Sequence, residues 1–126
     1  MKRWEQFVSV CAILVICSGV AYSYRREHLS RMDLNPVFQQ INREYFNGEL
    51  SGVRVEWSHL DQDSGQARKF SDGEFLIMVD RRDNTSFAEV RRTVQHESCH
   101  VFVDWKEKEE HGAMFQRCMA RYRSSF

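Results

Sequence analysis

His96, Glu97 and His100 form a His-Glu-x-x-His pentapeptide, the pattern in this sequence that points most directly to chemistry. On an α-helix, residues four positions apart lie on one face, so the two imidazoles can bind a single Zn²⁺. Glu97 lies next to that face, where its carboxylate can take a proton from water at the metal instead of binding the metal. The pentapeptide therefore predicts a zinc metallopeptidase site with Glu97 as the catalytic general base.

The segment around the pentapeptide has the periodicity of a buried helix. Apolar residues recur at helical spacing between Ser86 and Trp105, and their stripe lies beside the face that carries His96 and His100. We expect this helix to bring both histidines to a cleft. The alternative is that both histidines are solvated residues on a structural helix. That explanation suits His96 or His100 alone, but it is less favoured for two histidines that flank a glutamate beside an apolar stripe. The stripe consists of Val90, Val94, Val101 and Trp105.

A hydrolytic zinc site normally has three protein ligands and one open position. His111 is the best candidate for the third ligand. On an uninterrupted helix it would lie about 16 Å from His100, so the chain must turn back between residues 103 and 110. The connection, Lys106-Glu107-Lys108-Glu109-Glu110, contains neither Gly nor Pro to impose that turn. Glu107, Glu109 or Glu110 is the alternative third ligand, although a run of glutamates is more often a solvated surface.

These residues, with several further segments, resemble the SprT-like (Spartan-type) zinc metallopeptidase domains. The resemblance extends from residue 34 to about residue 122 and implies that His96, His100 and His111 are zinc ligands and that Glu97 is the catalytic base. Cys99 is also a residue type found at its position in that family. The matching segments are residues 41–50, like the family's first helix and its end, 55–58 and 75–79, like its first strand and the strand before the active-site helix, and 111–115, like the segment of the third ligand.

Composition bears on which partners the resemblance can imply. Lys plus Arg and Asp plus Glu both total 18, so no net basic field favours nucleic acid. No cysteine-rich zinc ribbon follows the predicted domain in this sequence. The leading prediction is a peptidase of protein or peptide substrates. The alternatives are a cytoplasm-facing protease of nucleic-acid-bound proteins, such as DNA-protein crosslinks, and a catalytically silent zinc-binding interaction module at the membrane.

The N-terminus predicts a contact with the membrane. Residues 7–24 carry no charge and lie between basic residues at both ends. Eighteen residues are at the lower limit of the roughly 20 that span a bilayer, so we expect a single-pass N-terminal anchor. The alternative is a secretory signal peptide with its apolar core at residues 8–16, cleaved after Ala21 or Ser23. The predicted organisation is an anchor or signal at residues 1–26 and a metallopeptidase domain at residues 33–126.

Within that domain the patterns predict an α+β, zincin-like fold with a short antiparallel sheet. A helix capped by Asp33 or Asn35 should end at Asn47-Gly48, and strands are expected over residues 53–57 and 75–79. Residues 59–70 are ambiguous between strand and loop. A final amphipathic helix is expected over residues 112–122. We expect Cys99 and Cys118 to be buried thiols, with a disulfide as the alternative if the domain is exported.

Overall fold

The computed structural model describes the backbone of residues 2–124 and the side chains of residues 14–124. The chain divides into two compact units, Met1–Met32 and Asp33–Phe126. The predicted α+β class is confirmed. In the described part of the chain the elements are α1 (Lys2–Ser30), α2 (Asn35–Phe46), β1 (Val53–Ser58), β2 (Gly65–Lys69), β3 (Phe75–Asp80), α3 (Phe87–Val103) and α4 (Ala113–Arg123).

Helix α1 corrects the predicted localisation. Among the described residues, no helix combines the length and the apolar character needed to cross a membrane. Within α1 the apolar residues 14–16 give way to Cys17, Ser18 and Gly19 and then to charged residues from Arg25 onward. The predicted membrane anchor is wrong on this finding. Part of the proposed signal core, side chains 8–13, lies outside the described residues.

Helix α2 forms where its apolar periodicity predicts, but its start differs. Neither Asp33 nor Asn35 is the N-cap, because Leu34 occupies that position and caps with no side-chain hydrogen bond. The Asn35 side chain instead accepts the N–H of Val55 at 3.0 Å, which ties α2 to β1. At the other end Asn47 adopts a left-handed conformation with φ 53°, as expected for a residue that ends a helix.

The sheet is mixed rather than antiparallel, which corrects the predicted arrangement. Its strand order is β1-β3-β2, with β1 parallel and β2 antiparallel to β3. Strand β3 lies at the centre of the sheet. Its residues 76–80 are all buried, as expected for a strand covered on both faces. The ambiguous segment contributes the edge strand β2, and Ile77 pairs with Val55 on one side and Ala67 on the other.

Helix α3 begins at a capping box. Ser86 Oγ accepts the N–H of Glu89 at 3.2 Å, and the Glu89 carboxylate accepts the N–H of Ser86 at 2.9 Å. This exchange satisfies orphan donors of the first turn and fixes where the helix starts. The valines of the predicted stripe, Val90, Val94 and Val101, are buried. Trp105 corrects the prediction, because it lies beyond the helix and is 52% exposed.

Helix α4 is covalently joined to α3. Cys99 and Cys118 form a disulfide across a Cα–Cα distance of 5.7 Å, so the expectation of two free thiols is wrong. The pairing depends on how α4 packs on α3, which local sequence does not encode. Tyr122 adds a hydrogen bond from its hydroxyl to the carbonyl of Gln95 at 2.9 Å. The helix that carries the pentapeptide is therefore held to the helix that follows His111.

Candidate metal centre

Three histidines come together at the open side of α3. One ring nitrogen of each of His96, His100 and His111 lies within 4.8 Å of the other two. The ring centroids are 5.0–5.1 Å apart in all three pairs. His96 and His100 lie on the same face of α3, one turn apart, as the pentapeptide predicts. The cluster could bind a metal ion, and the residues are those that the sequence singles out.

His111 reaches the cluster because the chain reverses immediately after α3. Asp104 and Trp105 both adopt positive φ, 53° and 55°, and the Asp104 N–H donates to the carbonyl of His100 at 3.0 Å. Left-handed backbone is uncommon outside glycine, although Asp adopts it more readily than most residues. The Asp104 carboxylate also pairs with Lys69 of β2 at 2.6 Å, which holds the reversal against the sheet. Asp104 supplies the turn for which the sequence offers neither Gly nor Pro.

Phe115 forms the floor of the cluster. Its ring centroid lies 4.9 Å from that of His96, 4.5 Å from that of His100 and 4.6 Å from that of His111. The side chain is 2% exposed, so it cannot leave this position without opening the core. One buried ring from α4 thus restricts the orientation of all three imidazoles.

Glu97 lies beside the cluster in a buried environment. The residue is 5% exposed, and burial raises the pKa of its carboxyl to about 7, with further contributions from the nearby carboxylates of Asp63 and Glu110. The backbone N–H of Ala67 in β2 donates to Glu97 and opposes this increase. A carboxyl with a pKa near neutral pH can hold and release a proton during a reaction.

Two of the three histidines, His96 and His100, are held in their neutral form. Burial, together with repulsion from the neighbouring rings of His96 and His111, lowers the pKa of His100 to about 4. Burial also lowers the pKa of His96. Neutral imidazole is the form that presents a lone pair to a metal. His96 and His100 therefore present a lone pair to a metal at neutral pH.

The donor set fits Zn²⁺. Nε2 of His96 and Nε2 of His111 lie 3.2 Å apart. Two imidazole nitrogens on one tetrahedral zinc are separated by roughly 3.3 Å, given Zn–N distances near 2.05 Å. Three imidazoles with one side open to a cleft match the ligand pattern of hydrolytic zinc sites. The type of nitrogen donor and the distance between the His96 and His111 nitrogens thus agree with zinc coordination. The assignment of each histidine as a zinc ligand stays a prediction.

None of the three alternative oxygen ligands belongs to the histidine cluster of the described residues. Glu107 accepts the backbone N–H groups of Met114 and Phe115 and so is engaged at the start of α4. Glu109 is exposed, and Glu110 lines the cleft close enough to influence the pKa of His96. No glutamate belongs to the His96-His100-His111 cluster among the described residues. The arrangement favours His111 over the glutamates.

A cleft of about 320 Å³ opens onto the cluster between α3 and β2. Asp63 and Gln66 line it on the sheet side, while Trp105 and Glu110 line it on the side of the 104–112 connection. Gly65 allows the close approach of β2, because a Cβ there would strike Thr93 and come within 3.0 Å of Glu97. The sequence did not predict the roles of Gly65, Ala67 and Phe115. Two signals were present: a glycine in a short polar segment, and an aromatic residue four positions after His111.

Comparison with known proteins shows the family to which this chain belongs. No curated protein sequence matches the chain significantly. The model of the SprT-like family matches residues 34–126, which include the whole α2–α4 unit and all three histidines. The match spans well over half of the chain. On this match the chain belongs to the SprT-like family.

Proposed function

We propose that this protein is a zinc-dependent peptidase that hydrolyses peptide bonds in protein or peptide substrates. The observation that carries the proposal is the position of Glu97, a buried carboxyl with a raised pKa, directly beside a cluster of three imidazoles. Membership of the SprT-like family supports a metallopeptidase-like domain. A purely structural metal site would need no such carboxyl, because structural zinc is fully enclosed by its ligands.

In this proposal His96, His100 and His111 hold the metal and Glu97 moves the proton. Zinc, when bound, supplies Lewis-acid chemistry that polarises a carbonyl group and makes water easier to deprotonate. Glu97 accepts the proton from water and delivers it to the departing amine, which its pKa near 7 permits in both directions. The Ala67 N–H keeps the carboxyl oriented towards the cleft between these two transfers.

The free edge of β2 offers a place for the substrate backbone. Ser64 pairs with Asp80, and Phe70 pairs with Glu74, by hydrogen bonds towards β3. In an antiparallel ladder the alternate residues point their N–H and C=O groups the other way. Gly65, Ala67 and Lys69 therefore point theirs away from β3, where the N–H of Ala67 is already bound to Glu97. An extended peptide can add there as a further strand, with its scissile bond next to Glu97 and the histidines.

The test combines metal content with cleavage of casein by the full-length protein. We expect one zinc per chain and cleavage that stops when the metal is chelated. His111→Ala should lose most of the zinc and all measurable cleavage, whereas Glu109→Gln, an exposed change in the same connection, should alter neither. Full zinc occupancy in His111→Ala would refute the ligand assignment. Full occupancy in the wild type with no cleavage of any denatured substrate would favour a catalytically silent zinc module.

A further inference from the structure

We propose that Glu107 is a positioning residue, which caps α4 and thereby fixes His111 and Phe115 at the metal centre without binding the metal. The effect on zinc binding rests on the proposed function. The capping contacts of Glu107 are hydrogen bonds within the chain and do not depend on it. It assigns a structural task to a residue that the sequence alone suggests as a ligand.

The Glu107 carboxylate uses both oxygens on the first turn of α4. Oε1 accepts the N–H of Met114 at 2.7 Å, and Oε2 accepts the N–H of Phe115 at 3.1 Å. These two donors have no partner within the helix, because the first N–H groups of any α-helix lack one. A negative charge at this end is also favoured by the helix dipole. Glu107 thus provides the cap from outside the helix.

Nothing within α4 replaces that cap. The N-cap residue is Gly112, which has no side chain to offer, and the first turn contains no acidic residue. Gly112 is itself shaped to this contact: a Cβ there would lie 2.8 Å from the carboxylate of Glu107. The side chain that caps and the glycine that makes room for it therefore form one unit.

Two consequences reach the histidines. His111 directly precedes Gly112, so fixing the start of α4 fixes the backbone that carries the third imidazole. Phe115, whose N–H the carboxylate accepts, places its ring within 4.9 Å of all three imidazole centroids. Loss of the cap should loosen His111 and the floor of the site together. Outer residues that orient ligands typically contribute 10- to 100-fold to metal affinity.

The experiment measures two quantities in full-length variants: zinc affinity, by competition with a chromophoric chelator, and amide hydrogen exchange at Met114 and Phe115 in the metal-free protein. Glu107→Ala should lower zinc affinity about 10- to 100-fold and accelerate exchange at both amides. Glu107→Gln, which keeps an acceptor oxygen without the charge, should give an intermediate loss. The matched control Glu109→Ala should leave both quantities unchanged.

A double-mutant cycle separates capping from ligation. Gly112→Ala should reproduce the loss by displacing the carboxylate, and it should cost little more in a chain that already carries Glu107→Ala. Weaker zinc binding in Glu107→Ala without faster exchange would overturn the proposal and mark Glu107 as a ligand. Wild-type zinc affinity in Glu107→Ala would overturn it as well.

The same data keep this inference distinct from the proposed function. If the wild type bound no zinc, the proposed function would fail, while faster amide exchange in metal-free Glu107→Ala would still support the cap. Unchanged exchange at Met114 and Phe115 would refute the cap whatever the metal does.

Discussion

The buried carboxylate of Glu97 on α3 accepts a hydrogen bond from the backbone N–H of Ala67 on the edge strand β2. This contact joins the helix that carries two of the histidines to the strand that borders the cleft. The position of Glu97 therefore depends on how closely α3 approaches β2. Gly65 permits the close approach because it places no side chain between the helix and the strand.

The first prediction tests that close approach. Gly65→Ala places a methyl group against Thr93 and Glu97, so the free energy of unfolding should fall by about 1–3 kcal/mol, and cleavage should weaken as Glu97 shifts. Thr93→Ser removes the nearest methyl group while keeping the hydroxyl that donates to Asn84 at 2.6 Å. The double variant should therefore recover part of the loss in urea unfolding. Equal stability of wild type and Gly65→Ala would contradict the predicted contact.

A second prediction concerns the floor of the histidine cluster. Phe115→Ala removes a ring that is 2% exposed and should cost about 3–5 kcal/mol of unfolding free energy. Because the same ring contacts His96, His100 and His111, zinc affinity should fall as well. Phe87→Ala is the control, since Phe87 is 49% exposed and its removal should change stability by no more than about 0.5 kcal/mol. Unchanged zinc affinity in a folded Phe115→Ala variant would show that the ring does not orient the imidazoles.

Asp80 should dominate the acid sensitivity of the fold. Burial alone would raise the pKa of Asp80, but hydrogen bonds from the N–H groups of Leu60, Arg82 and Asp83 and from the Arg82 side chain outweigh it and hold the pKa well below its usual range. A lowered folded-state pKa stabilises the protein above the unfolded value of about 3.9, and this stabilisation is lost as the pH falls through the folded-state pKa.

Comparison of wild type with Asp80→Asn isolates this contribution. At pH 6 the variant should unfold with a free energy roughly 1–3 kcal/mol lower, because a neutral amide replaces a charged acceptor of several hydrogen bonds. The difference should shrink below about pH 4, because the Asp80 carboxyl takes up a proton in the unfolded wild-type chain while it stays charged in the folded protein. Urea unfolding between pH 2.5 and 6 measures it, with the exposed Asp61→Asn as control. A difference that stays constant down to pH 2.5 would refute the electrostatic origin.

Local patterns in the sequence predict the parts of this fold that local interactions determine. The pentapeptide, the periodicity of α3, the apolar run of β3 and the left-handed Asn47 at the end of α2 all follow from neighbouring residues. The choice of His111 over the glutamates follows from ligand chemistry and from family resemblance.

The features that the sequence does not predict depend on contacts between distant segments. Parallel pairing of β1 with β3 requires knowing that β2 passes to the far edge of the sheet. The Cys99–Cys118 disulfide requires the packing of α4 on α3. The chain reverses after α3 at Asp104 and Trp105, which both adopt positive φ. Residues other than glycine rarely adopt this conformation, so the sequence does not indicate a turn there. The predicted membrane anchor is wrong, since no helix among the described residues is long and apolar enough to cross a membrane.

The most direct test of the account is the pair of measurements, zinc content and casein cleavage, on wild type and Glu97→Gln. Glutamine has nearly the same shape and is not a ligand in this account, so zinc content and unfolding free energy should stay close to wild type. Its amide cannot accept a proton, so the rate of cleavage should fall by about 10²- to 10⁴-fold, the usual contribution of a general base. Equal cleavage by the two proteins would contradict the account.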